Sequence, residues 1–151
     1  MPGFKRSVAI DAPPAKVYAV LTDLRQAPRW MPAIQRTEWV LGDKVETGNV
    51  WQEVRQAGKR TLVADIKVVR AQKDKALDLR VDAKPFGMDL GFDLLPMGKG
   101  TQVDYQCHGR GKGVMALFSG AIMRQVEAQD DDLLRRLKAH VEAQPAVKGR
   151  A

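Results

Sequence analysis

The residues with the most chemical potential lie close together near the start of the last third of the chain: Tyr105, Cys107 and His108. A phenol can polarise a carbonyl or deliver a proton, and a thiolate can act as a nucleophile when a nearby cation lowers its pKa. Tyr105 and Cys107 share one parity of an alternating segment, whereas His108 falls on the other, so the spacing disfavours a Cys/His nucleophilic pair. Tyr105 remains as the one weak catalytic candidate, and a core tyrosine is the simpler reading. His140, the only other histidine, stands about thirty residues away and reads as a cation near a helix end or a solvated polar group. Without an HxxxH or CxxC spacing, no metal site is expected, and the Asp130-Asp131-Asp132 run reads as a solvated helix face. Gly109-Arg-Gly-Lys-Gly113 lacks the form of a phosphate-binding loop, although it opens a helix. No cofactor is implied.

These residues sit in a chain of 151 residues, 44% hydrophobic and 28% charged, enough for one domain with its own core. With a single cysteine, an intrachain disulfide is impossible. No run approaches the roughly 20 apolar residues of a bilayer-spanning helix, and no apolar leader follows Met1, so a cytoplasmic protein is expected. The net charge is +7, and residues 1–75 carry 14 Lys and Arg against 8 Asp and Glu.

Phe4 to Ala12 alternates as a strand with Phe4, Val8 and Ile10 on one face. Asp11 followed by Pro13 and Pro14 predicts an acidic cap and a helix to about Leu24, striped by Val17, Val20, Leu21 and Leu24. Pro28 and Pro32 then confine Trp30 and Met31 to a short turn. Period-two segments follow near 34–42, 48–57, 60–71, 76–84, 87–96 and 101–110, separated by turn residues such as Gly58-Lys59 and Gly98-Lys99, which predicts an antiparallel meander. After Gly113 a helical stripe of Val114, Leu117, Phe118, Ala121, Ile122, Val126, Leu133, Leu137 and Val141 predicts one helix of about 42 Å. The architecture is therefore α+β, with the helix covering the apolar face of the sheet.

Ser7-Val-Ala-Ile-Asp-Ala-Pro-Pro-Ala-Lys-Val-Tyr-Ala-Val-Leu-Thr-Asp23, Pro28-Arg-Trp30-Met-Pro32, Gly100-Thr-Gln-Val-Asp-Tyr105 and Leu134-Arg-Arg-Leu-Lys138 together resemble the START/Bet v 1-like superfamily, in particular its bacterial polyketide cyclase/dehydrase and lipid-transport branch. The resemblance spans nearly the whole chain. It implies a helix-grip fold: a seven-stranded curved antiparallel sheet wrapped around a long C-terminal helix, two short helices after the first strand, and an apolar cavity between sheet and helix. Residues 1–144 would form this domain and 145–151 a flexible tail.

Expected pocket residues follow from strand parity. Leu62, Ala64 and Ile66, then Leu79 and Val81, then Leu90 and Phe92, then Tyr105 and Cys107 face inward. On 50–55 the sets Val50, Gln52, Val54 and Trp51, Glu53, Arg55 compete; the more apolar first set is preferred, placing Gln52 and Val54 in the pocket beside Trp39. The resemblance places Trp30 and Met31 on the element bordering the cavity mouth, where they would form either a gate or a staple that seals the core. Phe118, Ile122 and Gln129 would line the helix side, Gln129 as a polar break in the stripe. Gly91, Gly109, Gly111 and Gly113 are the expected bending points.

Binding or transport of a hydrophobic small molecule (a lipid, quinone or polyketide-like compound) is the function this reading favours. A polyketide aromatase/cyclase or dehydratase ranks second because no obligatory acid/base pair is visible. A basic interaction module for a ribosome or a protein partner ranks third: Arg55, Lys59, Arg60, Lys67, Arg70, Lys73 and Lys75 are expected to form a positive edge, for which solubility is the preferred reading and contact with an anionic membrane, RNA or a ribosome the functional alternatives. The nucleic-acid version is weakened because aromatics are not interleaved with the charges.

Overall fold

The computed structural model describes residues 3–83, 87–110 and 132–144. In chain order these form β1 (Gly3–Ile10), α1 (Pro14–Leu21), α2 (Ala27–Trp30), β2 (Ile34–Leu41), β3 (Val50–Ala57), β4 (Arg60–Gln72), β5 (Ala76–Asp82), β6 (Gly87–Met97), β7 (Gly100–Arg110) and α3 (Leu133–Ala143). All seven strands join one antiparallel sheet in the order β1-β7-β6-β5-β4-β3-β2, so the two strands flanking α1 and α2 occupy opposite edges. This is the helix-grip architecture.

Six of the strands form the expected meander, with tight two-residue turns joining β3 to β4 and β6 to β7. Gly58 and Gly98 adopt φ of +63° and +60°, a left-handed conformation that a residue with a Cβ adopts at a cost, and each opens a two-residue hairpin turn. Bends arise elsewhere than expected: the register shifts at Ile34/Arg36, Trp39/Leu41 and Val68/Arg70, while β6 and β7 pair without interruption past Gly91 and Gly109. Gly111 and Gly113 lie outside the described residues.

Pro14 occupies the first turn of α1, as its missing N–H predicts, but Asp11 does not cap the helix. The cap position is Pro13, and the Asp11 N–H instead donates to Glu142 Oε2 at 2.7 Å. α1 also stops at Leu21 rather than Leu24: Thr22 leaves the helical conformation (φ −101°, ψ 1°) and caps the end, its N–H (3.0 Å) and hydroxyl (2.8 Å) both donating to Tyr18 O. Of the expected long helix, Leu133–Ala143 is described; Leu134, Leu137 and Val141 bury its inner stripe. Lys138 Nζ donates to Ala9 O at 2.7 Å and to Glu142 Oε2 at 2.6 Å, fastening α3 to the end of β1.

The core lies on the concave side and includes Phe4, Ile10, Val17, Ile66, Val68, Leu77, Phe92, Val103, Tyr105 and Leu137. The opposite face carries the expected polar alternation, organised into cross-strand pairs: Arg70–Asp78 (2.7 Å), Arg80–Asp89 (3.0 Å) and Arg110–Asp89 (3.1 Å). Among the described residues, no helix is long and apolar enough to cross a membrane.

Candidate functional site

The concave face is built row by row across the strands. One row runs Val68–Leu79–Leu90–Cys107–Phe4, and its neighbour runs Ala71–Leu77–Phe92–Tyr105–Arg6. Tyr105 is buried between Phe92 and Phe4, with ring centroids 4.9 and 5.9 Å away, and Cys107 is fully buried with its Sγ 3.9 Å from Met88 Sδ. Ile66, Leu79, Val81, Phe92, Tyr105 and Cys107 are thus all interior, and Leu90, Ala64 and Trp39 pack partly buried against them. These rows make an apolar floor.

Towards β2 and β3 the character of the face changes. A third row runs Trp39–Trp51–Ile66–Val81, a fourth Thr37–Glu53–Ala64 and a fifth Ile34–Arg55–Leu62. The inward residues of β3 are therefore Trp51, Glu53 and Arg55, the reverse of the sequence expectation. Gln52 faces outward between Glu38 and Asp65, and Val54 faces outward between Arg36 and Val63; Val54 is buried there without joining the main core. Local apolarity favours Val-Gln-Val as the inner set, but the hairpin overrules it. A two-residue turn at Gly58-Lys59 pairs Ala57 with Arg60, and counting back from that pair places Trp51 opposite Ile66. Leu62 has the inward parity but is 41% exposed, at the open end of its strand.

Glu53 is 8% exposed, and Arg55 Nε donates to its Oε2 at 2.9 Å. Arg55 Nη2 also lies 3.8 Å from Met31 Sδ, in the segment linking α2 to β2, so this pair adjoins the residue after Trp30. The indole rings of Trp39 and Trp51 meet edge to face, their centroids 5.7 Å apart. Trp30 and Trp51 are 5% and 4% exposed, and neither indole Nε1–H finds a hydrogen-bond partner among the described residues. Leaving a buried donor unpaired costs about 1–3 kcal/mol, so two at one end of a core are unusual. Sequence reasoning weighs Trp51, Glu53 and Arg55 as the competing inner set and prefers the other; the turn-derived register is the signal that turns these three inward.

The remaining candidates separate from this constellation. His108 is on the outer parity, opposite Asp89, and His140, in the last turn of α3, has Nε2 3.0 Å from Gln26 Oε1 and 3.3 Å from Gln144 Nε2, which ties α3 to the start of α2. Phe118, Ile122 and Gln129 lie outside the described residues. The expected basic edge divides: Lys59 and Arg60 stand at one end of β4, Lys73 and Lys75 at the other, about 40 Å away along a 13-residue strand. Of the other members, Arg55 turns inward to Glu53, and Arg70 pairs with Asp78 and Asp93. A separate groove of about 770 Å³ runs along the rim of the sheet beside Pro13, Pro14, Lys75 and Asp93. We place the candidate site on the concave face, because the rim groove has charged residues of the outer parity along its wall and no unpaired buried donor.

Electrostatic perturbation among the described residues is concentrated away from this face. Burial, with a smaller contribution from the charge of Asp74, raises the Tyr18 phenol above its ordinary value. Hydrogen bonds from Ser7 and Gln102 lower the Asp104 carboxyl, and those from Lys138 and the Asp11 N–H lower that of Glu142. Partial burial works to raise Asp23, but bonds from Gln26 and Arg25 outweigh it and leave its pKa low.

Known proteins share both the sequence pattern and the fold. The family described as polyketide cyclase / dehydrase and lipid transport matches residues 1–142. No curated protein sequence matches the chain. Among solved structures, Ara h 8.0201 superimposes with a TM-score of 0.78 at 17% identity, covering 94% of this chain and 98% of that one. A START superfamily protein from Mycobacterium smegmatis gives a TM-score of 0.74 at 16% identity, covering 93% and 97%. The di-domain ARO/CYC BexL gives 0.78 at 17% identity, covering 94% of this chain and 47% of the larger one. With a family match over nearly its full length, the chain belongs to the polyketide cyclase / dehydrase and lipid transport family, and it shares the seven-stranded helix-grip fold of these solved structures.

Proposed function

We propose that this protein binds a hydrophobic small molecule on the concave face of the sheet, with the apolar body of the ligand over β4 to β7 and a polar end towards β2 and β3. The observation that carries the reading is the division of that face into an apolar floor and a terminus holding a buried Glu53 paired with a part-exposed Arg55, together with two unpartnered indole donors. A surface meant only for core packing has no use for unpaired donors, whereas a pocket for an amphipathic guest places a few polar groups at one end of an apolar wall. Affinity would come chiefly from apolar burial at about 25 cal/mol per Å², with the polar end setting orientation.

The test is native mass spectrometry of gently purified protein, combined with thermal shifts against lipids and quinones. A bound adduct or a ligand-dependent rise in Tm is expected. Absence of both across the panel overturns the reading.

A cyclase or dehydratase activity ranks second. It is supported by the family match and by the central position of Tyr105 on the floor, where its phenol would assist enolisation of a folded chain. Undiminished turnover of a poly-β-ketone by Tyr105→Phe would remove that role.

A further inference from the structure

We propose that the open edge of β2 is a self-association surface, on which a second copy of this chain docks antiparallel and extends the sheet across a two-fold axis centred on Thr37. The inference goes beyond small-molecule binding and stands without it. β2 ends one side of the sheet, and among the described residues no strand pairs with its outer edge. Alternate residues of an edge strand direct their N–H and C=O groups away from the sheet, where another strand can take them up. Val40 and Leu41, at the end of the same strand, are 61% and 59% exposed, the greatest exposure among the large apolar side chains described.

The charges on β2 identify the partner. Arg36 and Glu38 are exposed, share the outer face with Val54 and Gln52, and among the described residues neither has an ion-pair partner. Two copies of one edge strand that pair antiparallel are related by a two-fold axis normal to the sheet, so residues of the same face must meet and the available registers differ by steps of two. Centred on Thr37, Arg36 stands opposite the partner's Glu38 and Glu38 opposite the partner's Arg36, which gives two cross-strand ion pairs. Centred on Arg36, two guanidinium groups oppose each other, and centred on Glu38, two carboxylates do. One register is therefore favoured and both its neighbours are disfavoured, whereas an edge guarded against pairing by charges of a single sign repels its copy in every register. The register shifts at Ile34/Arg36 and Trp39/Leu41 leave residues 36–39 as the regular run, so the pairing is short and ends at both bulges. In this arrangement Val40 and Leu41 come towards the start of the partner's β2, and the partner's Thr37 continues the inner row Thr37–Glu53–Ala64 beyond the sheet edge.

The experiment is sedimentation velocity of the full chain at concentrations up to about 1 mM, since so short a pairing gives a weak, concentration-dependent dimer. The wild type should pass from monomer to dimer and no further. Arg36→Glu sets carboxylates against each other at both pair positions, and Glu38→Arg sets guanidinium groups against each other, so each variant alone should dimerise about ten-fold more weakly or worse. Mixing the two variants in equal amounts should restore dimerisation to within about three-fold of wild type, because position 36 of each then faces position 38 of the other with opposite charge. The double reversal, Arg36→Glu with Glu38→Arg, should restore it within a single chain. Recovery in the mixture also shows that both single variants are folded. A wild type that stays monomeric, single variants that dimerise as the wild type does, a mixture that stays monomeric, or association beyond the dimer overturns the proposal and leaves the binding function untouched.

Discussion

The Glu142 carboxylate accepts the Asp11 backbone N–H at 2.7 Å, joining α3 to the end of β1 across 131 residues of chain. Lys138 completes the junction by donating to both Glu142 and Ala9 O. Because these bonds favour the ionised form, the folded-state pKa of Glu142 lies below its unfolded value. Its stabilising contribution is therefore present above the unfolded pKa of about 4.3 and is lost as pH falls through the lower folded value. Asp104, held by Ser7 and Gln102, has the same sign. Urea midpoints should consequently drop below about pH 4, and Glu142→Gln should flatten that slope relative to wild type.

Removing one member of the Glu53–Arg55 pair leaves the other charge poorly solvated. Arg55→Ala should destabilise by about 2 kcal/mol, a value held down by the partial exposure of Arg55. The double change Glu53→Leu with Arg55→Met should recover most of that loss, because an apolar pair of similar volume needs no desolvation of charge. Urea denaturation of the single and double variants measures the coupling directly.

Leu137 on α3 is fully buried, whereas Leu95 on β6 is 45% exposed. Leu137→Ala should cost about 2–5 kcal/mol through lost burial and the cavity left behind, and Leu95→Ala less than about 1 kcal/mol. The comparison of their Tm values tests whether α3 is an integral part of the core.

Cys107 is fully buried. A thiol so enclosed reacts only when the protein opens, so labelling by a thiol reagent should be slow in the native state and complete in denaturant. Fast labelling of the folded protein would show that the floor around Met88 and Cys107 is open to water.

Much of the fold is legible in the residues because several local signals agree. Gly58-Lys59 and Gly98-Lys99 mark hairpins, and Leu77/Leu79/Val81 or Val103/Tyr105/Cys107 alternate without ambiguity, so the strands and their inner faces follow directly. β3 is the exception: Trp51, Glu53 and Arg55 are less apolar as a set than Val50, Gln52 and Val54, and a reading strand by strand selects the wrong face. The inner set is decided by a partner strand through the turn, which no window confined to β3 contains. The site was therefore half visible. Its apolar floor could be read from periodicity, whereas its charged terminus required the register. The acidic cap expected at Asp11 does not form: Pro13 holds the cap position, and the Asp11 N–H pairs with the carboxylate of Glu142, a partner far away in sequence.

The placement of β1 against β7 governs how the polypeptide reaches its final form. Ser7 and Asp104 lie side by side although 97 residues separate them, whereas β2 to β7 can zip together through successive short hairpins. During synthesis the first strand must wait, with one apolar side uncovered, until almost the entire sheet has emerged. Joining the oldest segment to β7 is a long loop closure, entropically unfavourable until those contacts form, and is expected to follow the local hairpins.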